Sequence, residues 1–266
     1  MNDDEVLFKA NSISAGYDAK LVIQDITFTL KSHTLTGLIG ANGCGKSTLL
    51  KSIINQIKHE GICYLNGKGL ESQSTRKRAK QISYIPQKSG ISISLPVLEV
   101  VLMGFNPVLK LLETPSEKQK ELARKALEEV GLKGYEEKDY LTLSEGQKQL
   151  ALLARVLIED TSLLVLDEPD SALDFQNRYY ILKQLKNIVH TGNKAGILSL
   201  HDPTLALEFC DQLLLIKDKK CVGVLYPLKD TIEKMEKELK MIYGNVSLVF
   251  CEDKGGRRHL VLLWEG

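Results

Sequence analysis

Apolar residues recur along this chain in two rhythms, and the change from one to the other marks its elements. Val6 to Ala10 alternates apolar with polar positions, and Leu21 to Leu30 does so in part, the period of a strand. Ala15-Gly16-Tyr17-Asp18 between them reads as a turn. Leu35 to Ile39 is strand-like, and Leu163 to Leu166 and Gly196 to Leu200 are short apolar runs without alternation, as strands buried on both faces require. Gly61 to Leu65 and Ile82 to Ile85 are further short strands, the first closed by the hairpin-favouring dipeptide Asn66-Gly67. From Ser89 to Asp160 the spacing changes to that of helices. Val97 to Gly104 is an apolar helical start, and Leu122, Ala123, Ala126, Leu127 and Val130 share one face of a helix opened by Ser116 and Gln119 at capping-box spacing and ended by Gly131. Ser144 and Gln147 repeat that spacing before Leu150 to Ile158, a helix apolar nearly all round and therefore buried. Buried strands alternating with helices predict an α/β fold, with a helical subdomain inserted at about 88–160. After Leu225, Ile232, Met235, Leu239 and Ile242 have helical spacing between Asp230-Thr231 and Gly244. Val246 to Cys251 and His259 to Trp264 then read as a hairpin, with Trp264 expected in the core.

Composition narrows the classes. The 266 residues can bury a sizeable core, and 35 basic against 34 acidic residues give no global field to recruit nucleic acid or an anionic membrane. Arg76, Lys77, Arg78 and Lys80 form the densest basic cluster, but no aromatics interleave with them, so a solvated face is expected. The five scattered cysteines include no C-x-x-C pair, which argues for reduced thiols and against a disulfide framework or zinc site. The acidic start Met1 to Glu5 has no secretory pattern, and no apolar run approaches the ~20 residues that span a bilayer. Membrane association is therefore expected only through a partner.

Gly40 to Thr48 carries the G-x-x-x-x-G-K-[ST] spacing between a strand and a helix. Its glycines admit backbone N–H groups to a triphosphate at a helix N-terminus, Lys46 reaches the β- and γ-phosphates, and Ser47 ligates Mg²⁺. Asp167 and Glu168 end the apolar run at 163–166. There one carboxylate can hold Mg²⁺ and the other polarise a water. Taken singly, the remaining positions are weaker. Tyr17 is a packing tyrosine or a face for a base, and Gln87 stands just past a strand end. Ser144 to Gln147 is a capped helix or a second anion site, and His201 is a polar loop residue or a phosphate contact.

The joint order of Tyr17, Gly40 to Thr48, Gln87, Leu143 to Gln147, Leu163 to Glu168, Ser171 to Asp174 and His201 resembles that of the ATP-binding cassette ATPases over residues 5–225. The resemblance implies a P-loop NTPase (RecA-like) core with an antiparallel β subdomain and the inserted helical subdomain; it stops after Leu225, and 226–266 reads from its own pattern as a small α+β packing appendage, with a regulatory or dimer-stabilising element as the alternative. It implies that Tyr17 stacks on adenine, that Gly40, Asn42, Gly43, Gly45, Lys46, Ser47 and Thr48 bind ATP, and that Ser47, Gln87 and Asp167 surround Mg²⁺. Glu168 is then the catalytic base, with Gln87 and His201 beside it. Ser144, Gly146, Gln147 and Asp174 complete the nucleotide site across a head-to-tail dimer of two copies. Tyr84 to Gln87 and Val97 to Gly104 resemble the importer branch that serves iron-siderophore, haem and cobalamin uptake. That implies an integral membrane permease, indirectly a substrate-binding protein, no nucleic acid, and a peripheral place on the cytoplasmic face of the membrane. Zinc, manganese and molybdate importers are close competitors. So is a second class, soluble cassette proteins in cluster assembly, DNA or ribosome work, although one P-loop and no sustained heptads disfavour the DNA and ribosome types. A guanine-nucleotide site is disfavoured because Asn193-Lys194-Ala195-Gly196 lacks the aspartate of Asn-Lys-x-Asp.

Glu145 departs from the family's usual Leu-Ser-Gly-Gly-Gln. A carboxylate suits the first turn of a helix but adds negative charge near a γ-phosphate. With the side chain turned outward, Glu145→Gly leaves the steady-state ATPase rate unchanged or raises it. A large fall would contradict this.

Overall fold

The computed structural model describes residues 6–18, 20–88, 90–110 and 112–266. Its centre is a six-stranded sheet of β3 (Thr34–Ile39), β6 (Ile82–Ile85), β7 (Leu163–Asp167), β8 (Ala195–Ser199), β9 (Gln212–Lys217) and β10 (Lys220–Leu225), in the order β10-β9-β3-β8-β7-β6. All neighbours are parallel except β9 and β10. A second, antiparallel sheet holds β1 (Val6–Tyr17), β2 (Lys20–Lys31), β4 (His59–Leu65) and β5 (Lys68–Gly69), in the order β2-β1-β4-β5. β1 runs unbroken through Tyr17, so the turn expected at 15–18 is confined to its end. Gly16 stays in the ladder opposite Leu21, where a Cβ would strike the Lys20 carbonyl oxygen at 1.9 Å.

The apolar runs serve two cores because successive strand residues face opposite ways. On β7, Leu163 and Val165 face the cluster under the antiparallel sheet, while Leu164 and Leu166 face the cluster on the other side. On β9, Leu214 and Ile216 oppose Leu213 and Leu215 in the same way. The first core is closed by α1 (Lys46–Ile53) through Leu49, Leu50 and Ile53. The second runs continuously from the helical insertion to the C-terminal segment.

A short α2 (Thr75–Ala79) precedes β6 and carries the basic cluster. There the Arg76 guanidinium donates to the carbonyls of Pro107 and Leu109, so this charge ties two chain segments together. The insertion contains α3 (Val97–Leu102), α4 (Glu117–Glu129) and α5 (Glu145–Ile158), packed through Val97, Val101, Ala123, Leu127, Leu150 and Ala154. Both forecast capping boxes form, Ser116 with Gln119 and Ser144 with Gln147. Outside the insertion, α6 (Phe175–Thr191) and α7 (Pro203–Phe209) cover the sheet, followed by α8 (Ile232–Tyr243) and the hairpin β11 (Val246–Glu252) and β12 (Arg258–Trp264).

Met235, Leu239, Val246 and Leu248 anchor this last unit in the second core. Trp264 departs from expectation, since it is 75% exposed. Trp264 shares a face with Leu260 and Leu262 and stands opposite Val246, but the covering layer stops short of it and leaves the last residue of β12 in solvent.

Candidate functional site

Parallel pairing places the ends of β3, β8 and β7 side by side, so the loop after β3 and the carboxylates after β7 share one edge of the sheet. Ser199 is the hinge of this arrangement. It pairs with Leu38 on one side and Asp167 on the other. Its hydroxyl donates to Asp167 Oδ1 (2.8 Å) and accepts the Glu168 N–H (2.8 Å).

The loop after β3 folds back over the N-terminus of α1. Gly45 caps that helix at φ 108°, and a Cβ there would lie 2.5 Å from Ile23 Cγ2, so only glycine fits. The buried Lys46 ammonium donates to the carbonyls of Gly40 (2.9 Å) and Ala41 (3.3 Å) and thus lies along the loop. Asn42, Gly43, Gly45, Lys46, Ser47 and Thr48 border a cavity of about 360 Å³ together with Val22, Gln87, Glu168 and His201. Val22, Asn42 and Gly43 also border a second cavity of about 830 Å³ with Tyr17, whose ring is about half exposed. The two spaces together offer room for a phosphate chain and an attached aromatic base.

Ser47 Oγ donates to Asp167 Oδ1 at 2.9 Å. This pair offers only hard oxygen donors, and Asp167 is otherwise a buried carboxylate, a donor set that suits Mg²⁺. Glu168 has φ 51°, the left-handed region that a side chain with a Cβ adopts at a cost of about 1–2 kcal/mol. Its carboxylate receives the Gln87 amide on Oε2 and faces His201 Nε2 with Oε1. The Gln87 nitrogen therefore points to Glu168 instead of to the Ser47–Asp167 pair. Gln149 of α5 donates to the Gln87 carbonyl at 3.1 Å, and Arg155 of α5 to the Tyr84 carbonyl at 2.9 Å. Asp170 is buried with Oδ1 unpartnered, and burial holds its carboxyl above the usual carboxylate range against the pull of its own N–H and of Arg178.

Ser144, Gly146, Gln147 and Asp174 do not border either cavity among the described residues. Ser144 is exposed at the head of α5 and caps Gln147 N (3.3 Å), while Asp174 caps α6 through Asn177 N (2.9 Å). Glu145 turns outward, 72% exposed, and pairs with Lys148 at 2.8 Å.

Two contributors escape sequence reasoning. Ser199 is one, although a lone hydroxyl in the run Gly196 to Leu200 signals a buried polar group that must find partners. The other is the wall of the larger cavity formed by Lys217 to Lys219 and Ile242. It is set by the pairing of β9 with β3 and by Lys217 Nζ donating to the Met241 carbonyl (2.7 Å), for which the local sequence carries no signal.

Comparisons with known proteins fit this geometry. The family model described as ABC transporter matches residues 23–171. A petrobactin import ATP-binding protein of Bacillus anthracis is 31% identical over 85% of this chain and 84% of its own length. A manganese transport system ATP-binding protein of Listeria monocytogenes is 34% identical over 90% of this chain and 97% of its own. Among solved structures, a chain assigned to an inward-facing metal-chelate type ABC transporter superimposes with a TM-score of 0.81 at 24% identity, covering 98% of this chain and 99% of that one.

Ser199→Ala removes two buried hydrogen bonds at once. The expected result is a stability loss of about 1–3 kcal/mol by denaturant titration and a fall in ATPase kcat of about tenfold or more, as for other groups that orient a metal ligand. An unchanged midpoint and rate would exclude Ser199 as a positioning residue.

Proposed function

The chain belongs to the ABC transporter family, and from that premise we propose that it is the ATPase of an importer whose cargo is an iron chelate. ATP hydrolysis coupled to transport is the activity of this family. The observation that carries the reading is the hold on Glu168. Its carboxylate is engaged by Gln87 and His201, and the backbone of Gln87 is in turn gripped by α5 of the insertion.

The nucleotide enters along the loop. Its triphosphate takes the backbone N–H groups at the head of α1, and Lys46 leaves the carbonyls of Gly40 and Ala41 for the β- and γ-phosphates. Tyr17 stacks on the base. Mg²⁺, held by Ser47 and Asp167, would neutralise charge on the β- and γ-phosphate oxygens. Glu168 takes the proton of the attacking water once it is released from Gln87, and His201 turns to the γ-phosphate. Closure needs a second copy, whose Ser144, Gly146 and Gln147 supply donors at a helix N-terminus to the γ-phosphate, with Asp174 beside the interface. The outward turn of Glu145 keeps its charge off that phosphate.

A permease docked on the insertion would displace α5, and with it the segment from Tyr84 to Gln87, so the state of the permease reaches the base through Gln149 and Arg155. No helix among the described residues is long and apolar enough to cross a membrane. The importer reading itself puts the chain at the cytoplasmic face, held there by its permease, with a substrate-binding protein on the far side and no nucleic-acid partner.

The cargo rests on the petrobactin relative. A manganese importer is the second reading, favoured by the longer match to the Listeria protein. Affinity purification of the tagged chain from native membranes should bring down an integral membrane protein, and vesicles holding the complex should take up iron chelate with ATP. Uptake of Mn²⁺ in place of chelated iron would overturn the cargo while leaving transport intact. A purely soluble partner would overturn the importer reading.

A further inference from the structure

Away from the nucleotide, the antiparallel sheet brings together three side chains that the cassette chemistry does not use. His59 and Cys63 lie on β4, and Glu71 follows β5. Between the first two, β4 kinks at Gly61 (φ 89°), where a Cβ would lie 2.4 Å from the Asn11 carbonyl oxygen. Their ligand atoms and that of Glu71 all lie within 4.8 Å of one another.

The imidazole of His59 has only acceptors around it. Nδ1 lies 3.2 Å from the Ile57 carbonyl and Nε2 lies 3.3 Å from Glu71 Oε1, with the side chain 2% exposed. A neutral ring donating to Ile57 would turn a bare lone pair on the Glu71 carboxylate. With Nδ1 donating to Ile57, the Nε2 lone pair faces Glu71 Oε1, an arrangement that a metal ion between the two atoms would complete. The Ile57 bond is also the contact that fixes a metal-ligating histidine with Nε2 free. Glu71 Oε1 is steered into place by the Cys63 N–H, which donates to it at 2.7 Å and leaves lone pairs to spare.

We propose that His59 Nε2, Cys63 Sγ and Glu71 Oε1 form a site for one borderline-soft divalent transition-metal ion, of which Zn²⁺ is the type. An imidazole, a thiolate and a carboxylate are the donors that such an ion accepts, and hard Mg²⁺ or Ca²⁺ would not choose them. With bonds of 2.0–2.3 Å, the edges of a tetrahedral site come to about 3.3–3.6 Å, which the His59–Glu71 separation of 3.3 Å already matches. Loading requires only that the thiol approach and lose its proton to solvent as the metal–sulfur bond forms. His59 borders a surface depression of about 240 Å³, and Glu71 is partly exposed, so an ion has a way in and the fourth position stays open to water.

The test uses the full chain with the exposed Cys251 replaced by serine, freed of metal by chelator and without nucleotide. Titration with Co²⁺ should produce a thiolate-to-cobalt charge-transfer band that saturates at one ion per chain and is displaced by Zn²⁺. Cys63→Ser should abolish the band, and His59→Gln and Glu71→Gln should each weaken binding by about tenfold or more. Because Cys63 is buried, its variant is checked by thermal melting, and Glu71→Gln, at a partly exposed position, serves where that variant fails to fold. Absence of the band, or a band that keeps its intensity and midpoint in Glu71→Gln, would overturn the site and leave His59 and Glu71 as a hydrogen-bonded pair.

Discussion

Two carboxylates buried next to each other at the end of a strand are the constraint on which the structure turns. Asp167 and Glu168 are both nearly inaccessible, and a buried charge left without partners costs several kcal/mol. Their four side-chain partners come from three separate parts of the chain: Ser47 from α1, Gln87 from beyond β6, and Ser199 and His201 from the end of β8. The parallel sheet places these parts within reach of one another. Its registers align Leu38, Ser199 and Asp167 in one row. Folding the sheet and assembling the site are thus one event.

On the proposal that Glu168 is the base, the same bonds would hold the site at rest in one copy. A base whose two oxygens are held by an amide and an imidazole is poorly placed to accept a proton from water. Lys46, donating to its own loop, must likewise change partners before it can serve a phosphate. Both changes are exchanges of one charge-assisted hydrogen bond for another, each worth about 1.5–3 kcal/mol net, so nucleotide, a second copy and the insertion can each bias them. On the same proposal, the grip of Gln149 and Arg155 on the β6 segment would make the insertion a mechanical input to Glu168.

Much of this was legible in the chain because the relevant signals are local. The loop at Gly40 to Thr48, the capping boxes at Ser116 and Ser144, and the apolar runs of β7 and β8 each depend on residues within a few positions of one another. What escaped depends on register between distant strands. Tyr17 ends a strand instead of sitting in a loop because Gly16 remains paired with Leu21. Ser199 acquires its role only when β8 lies between β3 and β7. Ile242 reaches the cavity bordered by Tyr17, Asn42 and Gly43 through α8, some two hundred residues after the loop it faces. Trp264 was misplaced for a related reason: a strand pattern tells which residues share a face, but not where the covering layer stops.

The central claim is that one chain holds half of each nucleotide site and that Glu168 is the base whose action reopens the closed pair. Sedimentation of the Glu168→Gln variant with saturating ATP and Mg²⁺ tests it most directly. The account predicts a stable dimer carrying two nucleotides that returns to monomer when ADP replaces ATP. A variant that binds ATP yet sediments as a monomer would contradict it.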